Sequence, residues 1–108
     1  MTEPTYRENT NLLELGAGVT RRILSYGEDM MMVEVGFDTN SIGAMHTHVH
    51  TQQSYVLSGK FRFTADGKDY VVNQGDTIRF ESNAPHGVVC LEAGVLLDVF
   101  TPMRKDFI

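Results

Sequence analysis

Apolar and polar residues alternate with a period of two along much of this chain, in short runs bounded by turn residues. Met31, Val33, Val35 and Phe37 alternate with Met32, Glu34 and Gly36, which predicts a strand with one face toward a core. Upstream, Gly18 to Tyr26 reads as a first strand pair closed by the turn at Gly27-Glu28-Asp29, and Asp38-Thr39-Asn40 ends the Met31–Phe37 strand. Ala44 to His50 and Gln53 to Phe63 follow, with a bulge or bend at Gly59. Asp66-Gly67 is a hairpin turn before Tyr70-Val71-Val72. Asn73-Gln74-Gly75-Asp76 turns into Thr77 to Phe80, and Ser82-Asn83-Ala84-Pro85 breaks the chain again. Val88 to Leu91 and Val95 to Phe100 are the last two predicted strands, separated by Glu92-Ala93-Gly94. No segment carries a 3.6-residue stripe; Asn9 to Leu15 has room for one helical turn. The expectation is an all-β fold in a single domain, residues 1–108, with turn signals at the roughly 8–12-residue spacing of a sandwich or barrel. Closure into a barrel removes exposed strand edges, and an open immunoglobulin-like sandwich is the alternative.

Composition changes this picture little. An apolar fraction of 42% and a charged fraction of 21% suit one globular core. Cys90 is the only cysteine, so neither an internal disulfide nor a Cys-rich zinc site is available. A formal charge of −5 without a Lys/Arg block argues against nucleic acid as a partner. No apolar run approaches the ~20 residues of a membrane span, and the first ten residues do not read as a signal peptide. The expected location is therefore cytoplasmic, with no membrane partner. Met30-Met31-Met32 and exposed strand edges would permit a homodimer.

Histidine changes it more. Three of the four histidines fall at His46, His48 and His50, after the turn at Ser41-Ile42-Gly43. On a strand, positions i and i+2 share a face, so His46 and His48 can converge on one ion. A metal needs three or four ligands at ~2.0–2.2 Å, so a second, distant segment must join them. Pro85-His86 is that segment. His50 reads as a loop histidine beside the site. Leu96, Asp98 and Phe100 share a face of the last strand, and an Asp in so apolar a run is costly to bury unless paired or used. Arg104 follows closely. Asp98 and Arg104 read either as an ion pair closing the barrel end or as a general acid/base beside a carboxylate-binding arginine.

At these residues the chain resembles the cupin superfamily. The first cupin motif, G-x5-H-x-H-x3-4-E-x6-G, is matched by His46-Thr-His48 through Gln52 to Gly59, and the second, G-x5-P-x-G-x2-H-x3-N, by Gly75 through Pro85-His86. The chain departs from these forms at Gln52 in the acid slot, Glu81 in the proline slot and Cys90 in the final Asn slot, and Gly43 stands only three residues before His46. The resemblance implies a small double-stranded β-helix, or jelly-roll, barrel. Within the superfamily the chain is similar to the KdgF-type pectin-degradation family, on Arg21–Gly27, His46–Gln52 with Tyr55–Gly59, and Asp98–Phe107. That resemblance implies a metal-dependent enzyme acting on 4,5-unsaturated uronates from pectin and alginate breakdown. It implies His46, His48, Gln52 and His86 as metal ligands, Asp98 as the catalytic acid/base, Phe100 as a substrate contact, and Arg104 as carboxylate-binding and catalytic. Ser54 stands where the family has a further glutamine.

Three imidazoles and a neutral amide leave a divalent ion its full charge, making it a stronger Lewis acid than a carboxylate-bound one. The donor set suits Ni, Zn, Fe or Mn and disfavours the 2-His-1-carboxylate iron class. Gln53 competes with Gln52 if the strand begins one residue later. Two rival functions stand beside uronate ring opening and ketonisation: a three-histidine cupin dioxygenase, and a non-enzymatic, metal-stabilised sugar-binding or regulatory cupin. The expected ligand is a small anionic sugar acid.

Overall fold

Eight strands account for most of residues 2–108, which the computed structural model describes. They are β1 (Leu12–Gly16), β2 (Val19–Gly27), β3 (Met30–Phe37), β4 (Ile42–His46), β5 (Thr51–Ala65), β6 (Lys68–Asn73), β7 (Thr77–Phe80) and β8 (His86–Thr101). Short 3-10 turns occupy Arg7–Asn9 and Lys105–Phe107. All pairings are antiparallel, in the order β1-β2-β3-β8-β5-β6, with β4 on β8 and β7 on β5. No helix among the described residues is long and apolar enough to cross a membrane.

The two long strands make the barrel. β5 and β8 pair from Thr51↔Thr101 to Ala65↔His86, with register breaks between Val56 and Phe61. At this bend Gly59 has φ +84, and a Cβ there would run into the Glu92 and Ala93 carbonyls. A Cβ on Gly94 would meet the Ser58 carbonyl. The backbones therefore approach more closely than any side chain permits, and both strands turn from one half of the barrel into the other.

The β3 alternation emerges as expected: Met31, Val33 and Phe37 are buried. Phe37, Val56, Phe61, Phe63, Phe80, Cys90 and Leu96 form the main core, and Met31, Val33 and Phe100 a second cluster backed by Met103 and Phe107. Asp66 and Gly67 both take positive φ, as the β5–β6 hairpin requires.

Four local expectations are corrected. Gly18–Tyr26 is not a strand pair: Val19–Gly27 runs as one strand, joined to β3 by the turn at Glu28-Asp29. Leu12–Leu15 is strand, not a helical turn; the 3-10 turn lies earlier, and β1 pairs only with β2 and is exposed throughout. Glu92-Ala93-Gly94 does not separate two strands but lies within the single β8. β4 ends at His46, so His48 and His50 lie in the loop that follows.

Candidate metal centre

His46 closes β4 and His86 opens β8, where the two are register partners. His48 comes over from the intervening loop rather than from a strand face. The ring centroids lie 4.5 Å (His46–His86), 5.0 Å (His48–His86) and 5.3 Å (His46–His48) apart. One nitrogen from each ring lies within 4.8 Å of the others, an arrangement able to hold a metal ion. His86 is buried and stacks on Phe80 at 4.2 Å, whereas His46 sits exposed at the mouth.

The backbone sets the tautomers. Nδ1 of His46 lies 2.8 Å from the Ala44 carbonyl, Nδ1 of His86 2.9 Å from that of Ala84, and Nδ1 of His48 3.1 Å from that of His50. A carbonyl only accepts, so Nδ1 of His46 and of His86 carries the hydrogen and each of these neutral rings presents a lone pair on Nε2, whereas neutral His48 has an acceptor at both nitrogens and one hydrogen to share between them. Burial, and next the charge of Arg104, hold His48 down at about 4. Burial likewise lowers His86, whose Nε2 is buried with no hydrogen-bond partner.

Gln52 faces inward on β5 and Gln53 outward. The Gln52 Nε2 donates to Ser54 Oγ at 3.0 Å, and Ser54 Oγ donates to Asp98 Oδ1 at 2.6 Å. Ser54 has one proton, and the Asp98 carboxylate takes it, so Ser54 can only accept from Gln52. The amide oxygen is thereby turned to the histidines, 3.0 Å from His48 Nε2. With the His48 hydrogen on Nδ1, toward the His50 carbonyl, its Nε2 lone pair and the amide oxygen meet with no hydrogen between them. Such a donor set fits a cation, and the four side chains are suited to hold one.

Asp98 is buried and paired in register with Ser54 across β5–β8. Desolvation pushes its pKa up to about 6, against the opposing Ser54 hydrogen bond and the Arg104 charge. It lines a cavity of about 380 Å³ with His46, Gln52, His86, Phe100 and Arg104. The expected alternative of an Asp98–Arg104 ion pair is not formed: Arg104 donates from Nε and Nη2 to Asp106 at 3.0 and 2.8 Å. Its guanidinium lies 5.1 Å from the Phe100 ring centroid.

A family model described as a cupin domain matches residues 30–100, well over half of the chain. The chain belongs to the cupin family. It is 42% identical over 97 residues to the pectin degradation protein KdgF of Dickeya dadantii (strain 3937), covering 88% of each chain. The structure of KdgF from Halomonas sp. matches with a TM-score of 0.94 at 28% identity, over 100% of both chains. An RmlC-like cupin from Shewanella frigidimarina matches with the same TM-score at 34% identity, over 100% of this chain and 97% of that one.

In this cupin the barrel brings His46, His48, Gln52, His86, Asp98, Phe100 and Arg104 to one cavity and its rim. His50 stands beside the cluster with Nε2 at the Met103 carbonyl, 3.1 Å away. Ser54, which the family resemblance marks only as standing in a glutamine slot, is tied to the site by hydrogen bonds to Gln52 and Asp98. Its link between Gln52 and Asp98 depends on the β5–β8 register, which no local pattern contains.

Proposed function

We propose that this cupin is a metal-dependent enzyme that opens 4,5-unsaturated uronate monosaccharides from pectin or alginate breakdown and converts them to the linear keto form. The observation that carries the reading is the convergence of three imidazole nitrogens and an amide oxygen beside one buried carboxyl of raised pKa. The 42% identity to a pectin degradation protein supports the substrate class.

His46, His48, Gln52 and His86 would hold one divalent ion, of Ni, Zn, Fe or Mn, which supplies Lewis acidity toward negative charge developing on substrate oxygen. The substrate is a cyclic hemiacetal with a carboxylate beside an enol-ether double bond. Ring opening takes a proton from the C1 hydroxyl, breaks the bond between C1 and the ring oxygen, and leaves an enolate that becomes a ketone when C4 is protonated. One group moving that proton from the hydroxyl to C4 completes the isomerisation. Asp98, with a pKa near 6, both accepts and returns a proton near neutral pH. Ser54 holds the carboxyl in place. Arg104 offers the substrate carboxylate its charge and the N–H groups that Asp106 leaves over. Phe100 packs against the sugar face and keeps water from the carboxyl.

Proton NMR of the C4 vinyl proton of an unsaturated galacturonate monomer tests the reading. Added protein is expected to speed loss of that signal and the appearance of open-chain keto product. A time course equal to that without protein would contradict it.

A further inference from the structure

We propose that Arg21 is a carboxylate-binding residue of the cavity, acting with Arg104 to select acidic sugars over neutral ones. The identity of the ligand as a sugar acid rests on the function proposed above. Along β2, Val19 and Arg21 line the cavity and Ile23 packs against the second core cluster, so the alternation turns Arg21 inward. Its neighbour Arg22 points the other way, with Nη1 donating to Thr10. A guanidinium on the apolar face of a strand is costly unless something uses it.

Nothing among the described residues uses its hydrogen bonds. Among the described residues Arg21 makes no side-chain hydrogen bond and no ion pair, although its guanidinium carbon lies 3.9 Å from the Phe107 ring centroid. Arg104 approaches the same centroid at 4.4 Å, but Asp106 already takes its Nε and Nη2. Arg21 is therefore the cavity arginine whose whole fork is open to a planar, bidentate anion. Burial, and also the Arg104 charge, depress its pKa, with Asp106 opposing. One Asp106 carboxylate, held by Arg104, faces two like charges at this ring, and a carboxylate entering the cavity would supply a second anion. Phe107 keeps the Arg21 plane fixed, so little side-chain entropy is lost on binding.

Calorimetric titration of the metal-loaded protein with D-galacturonate, and with D-galactose as the neutral control, tests this in wild type, Arg21→Met and Arg21→Lys. Wild type is expected to prefer D-galacturonate. Arg21→Met is expected to bind it roughly ten- to a hundredfold more weakly, with D-galactose binding unchanged, as loss of a charge-assisted bidentate contact implies. Arg21→Lys is expected to recover only part of that loss at an unchanged melting temperature, and it decides the matter if Arg21→Met does not fold. The inference is overturned if wild type does not prefer D-galacturonate. It is equally overturned if both variants bind D-galacturonate as wild type does, or if both sugars weaken together. Turnover of the unsaturated uronate, read on the same preparations, separates the two claims. Uronate selection through Arg21 without any turnover would remove the ring-opening reading and leave this one standing.

Discussion

Asp98 is a single carboxyl carried into an apolar strand between Leu96 and Phe100, and its environment sets its charge. Its folded-state pKa of about 6 lies above the ordinary 3.8. Its contribution to stability is therefore fully present below the unfolded value and lost as pH rises through about 6. Asp98→Asn, uncharged throughout, is expected to melt at or above the wild-type temperature at pH 8 while turnover falls roughly 10²–10⁴-fold. Activity loss that merely followed a lower melting temperature would contradict the acid/base role. Gln52→Glu is expected to keep or tighten metal binding, because a carboxylate replaces an amide. It also sets two carboxylates against the one Ser54 hydroxyl, which raises the Asp98 pKa further. A lower rate and an acid limb displaced to higher pH check this; an unchanged rate and profile would contradict it. At this scale the sequence was informative where strand alternation or motif spacing decides direction, as for Asp98 and the His46, His48 and His86 cluster. It marks Ser54 only as the occupant of a glutamine slot and not as the link that acts across the β5–β8 register. For Arg21 the signal was present, a cation between Val19 and Ile23 at a period of two, but only the inward face of β2 gives it meaning.

Among the elements, β5 and β8 position the site, since Gln52 and Ser54 on one face Asp98 and Phe100 on the other. Their shared bend depends on Gly59 and Gly94. Gly94→Ala is expected to destabilise by about 1–3 kcal/mol, because a methyl group is forced against the Ser58 backbone. A melting temperature several degrees lower checks this, and an unchanged one would show that the close approach is dispensable. The same glycine explains why a turn-like tripeptide lies inside one strand. Glu92-Ala93-Gly94 has the composition of a turn, yet Gly94 is small to let two backbones meet within a continuing strand. β1 carries no strand signal for the opposite reason. All five of its residues are exposed, so no inward face imposes an alternation.

For the whole molecule, the jelly-roll barrel makes one cavity in which histidine nitrogens, an amide oxygen, a carboxyl and two arginines meet. Its all-β class was legible from short alternating runs and turns. The jelly-roll form was not, because sandwich and barrel share that pattern, and the separation of His46 and His86 along the chain supplied the missing long-range constraint. The central claim is that this cluster holds a divalent ion on which uronate ring opening depends. The most direct measurement follows the ultraviolet absorbance of the unsaturated uronate's conjugated double bond with protein as purified, stripped by chelation, and reloaded with a divalent ion. The account predicts accelerated loss of absorbance, a return to the spontaneous rate on stripping, and recovery on reloading. A rate that is the same in all three preparations would contradict it.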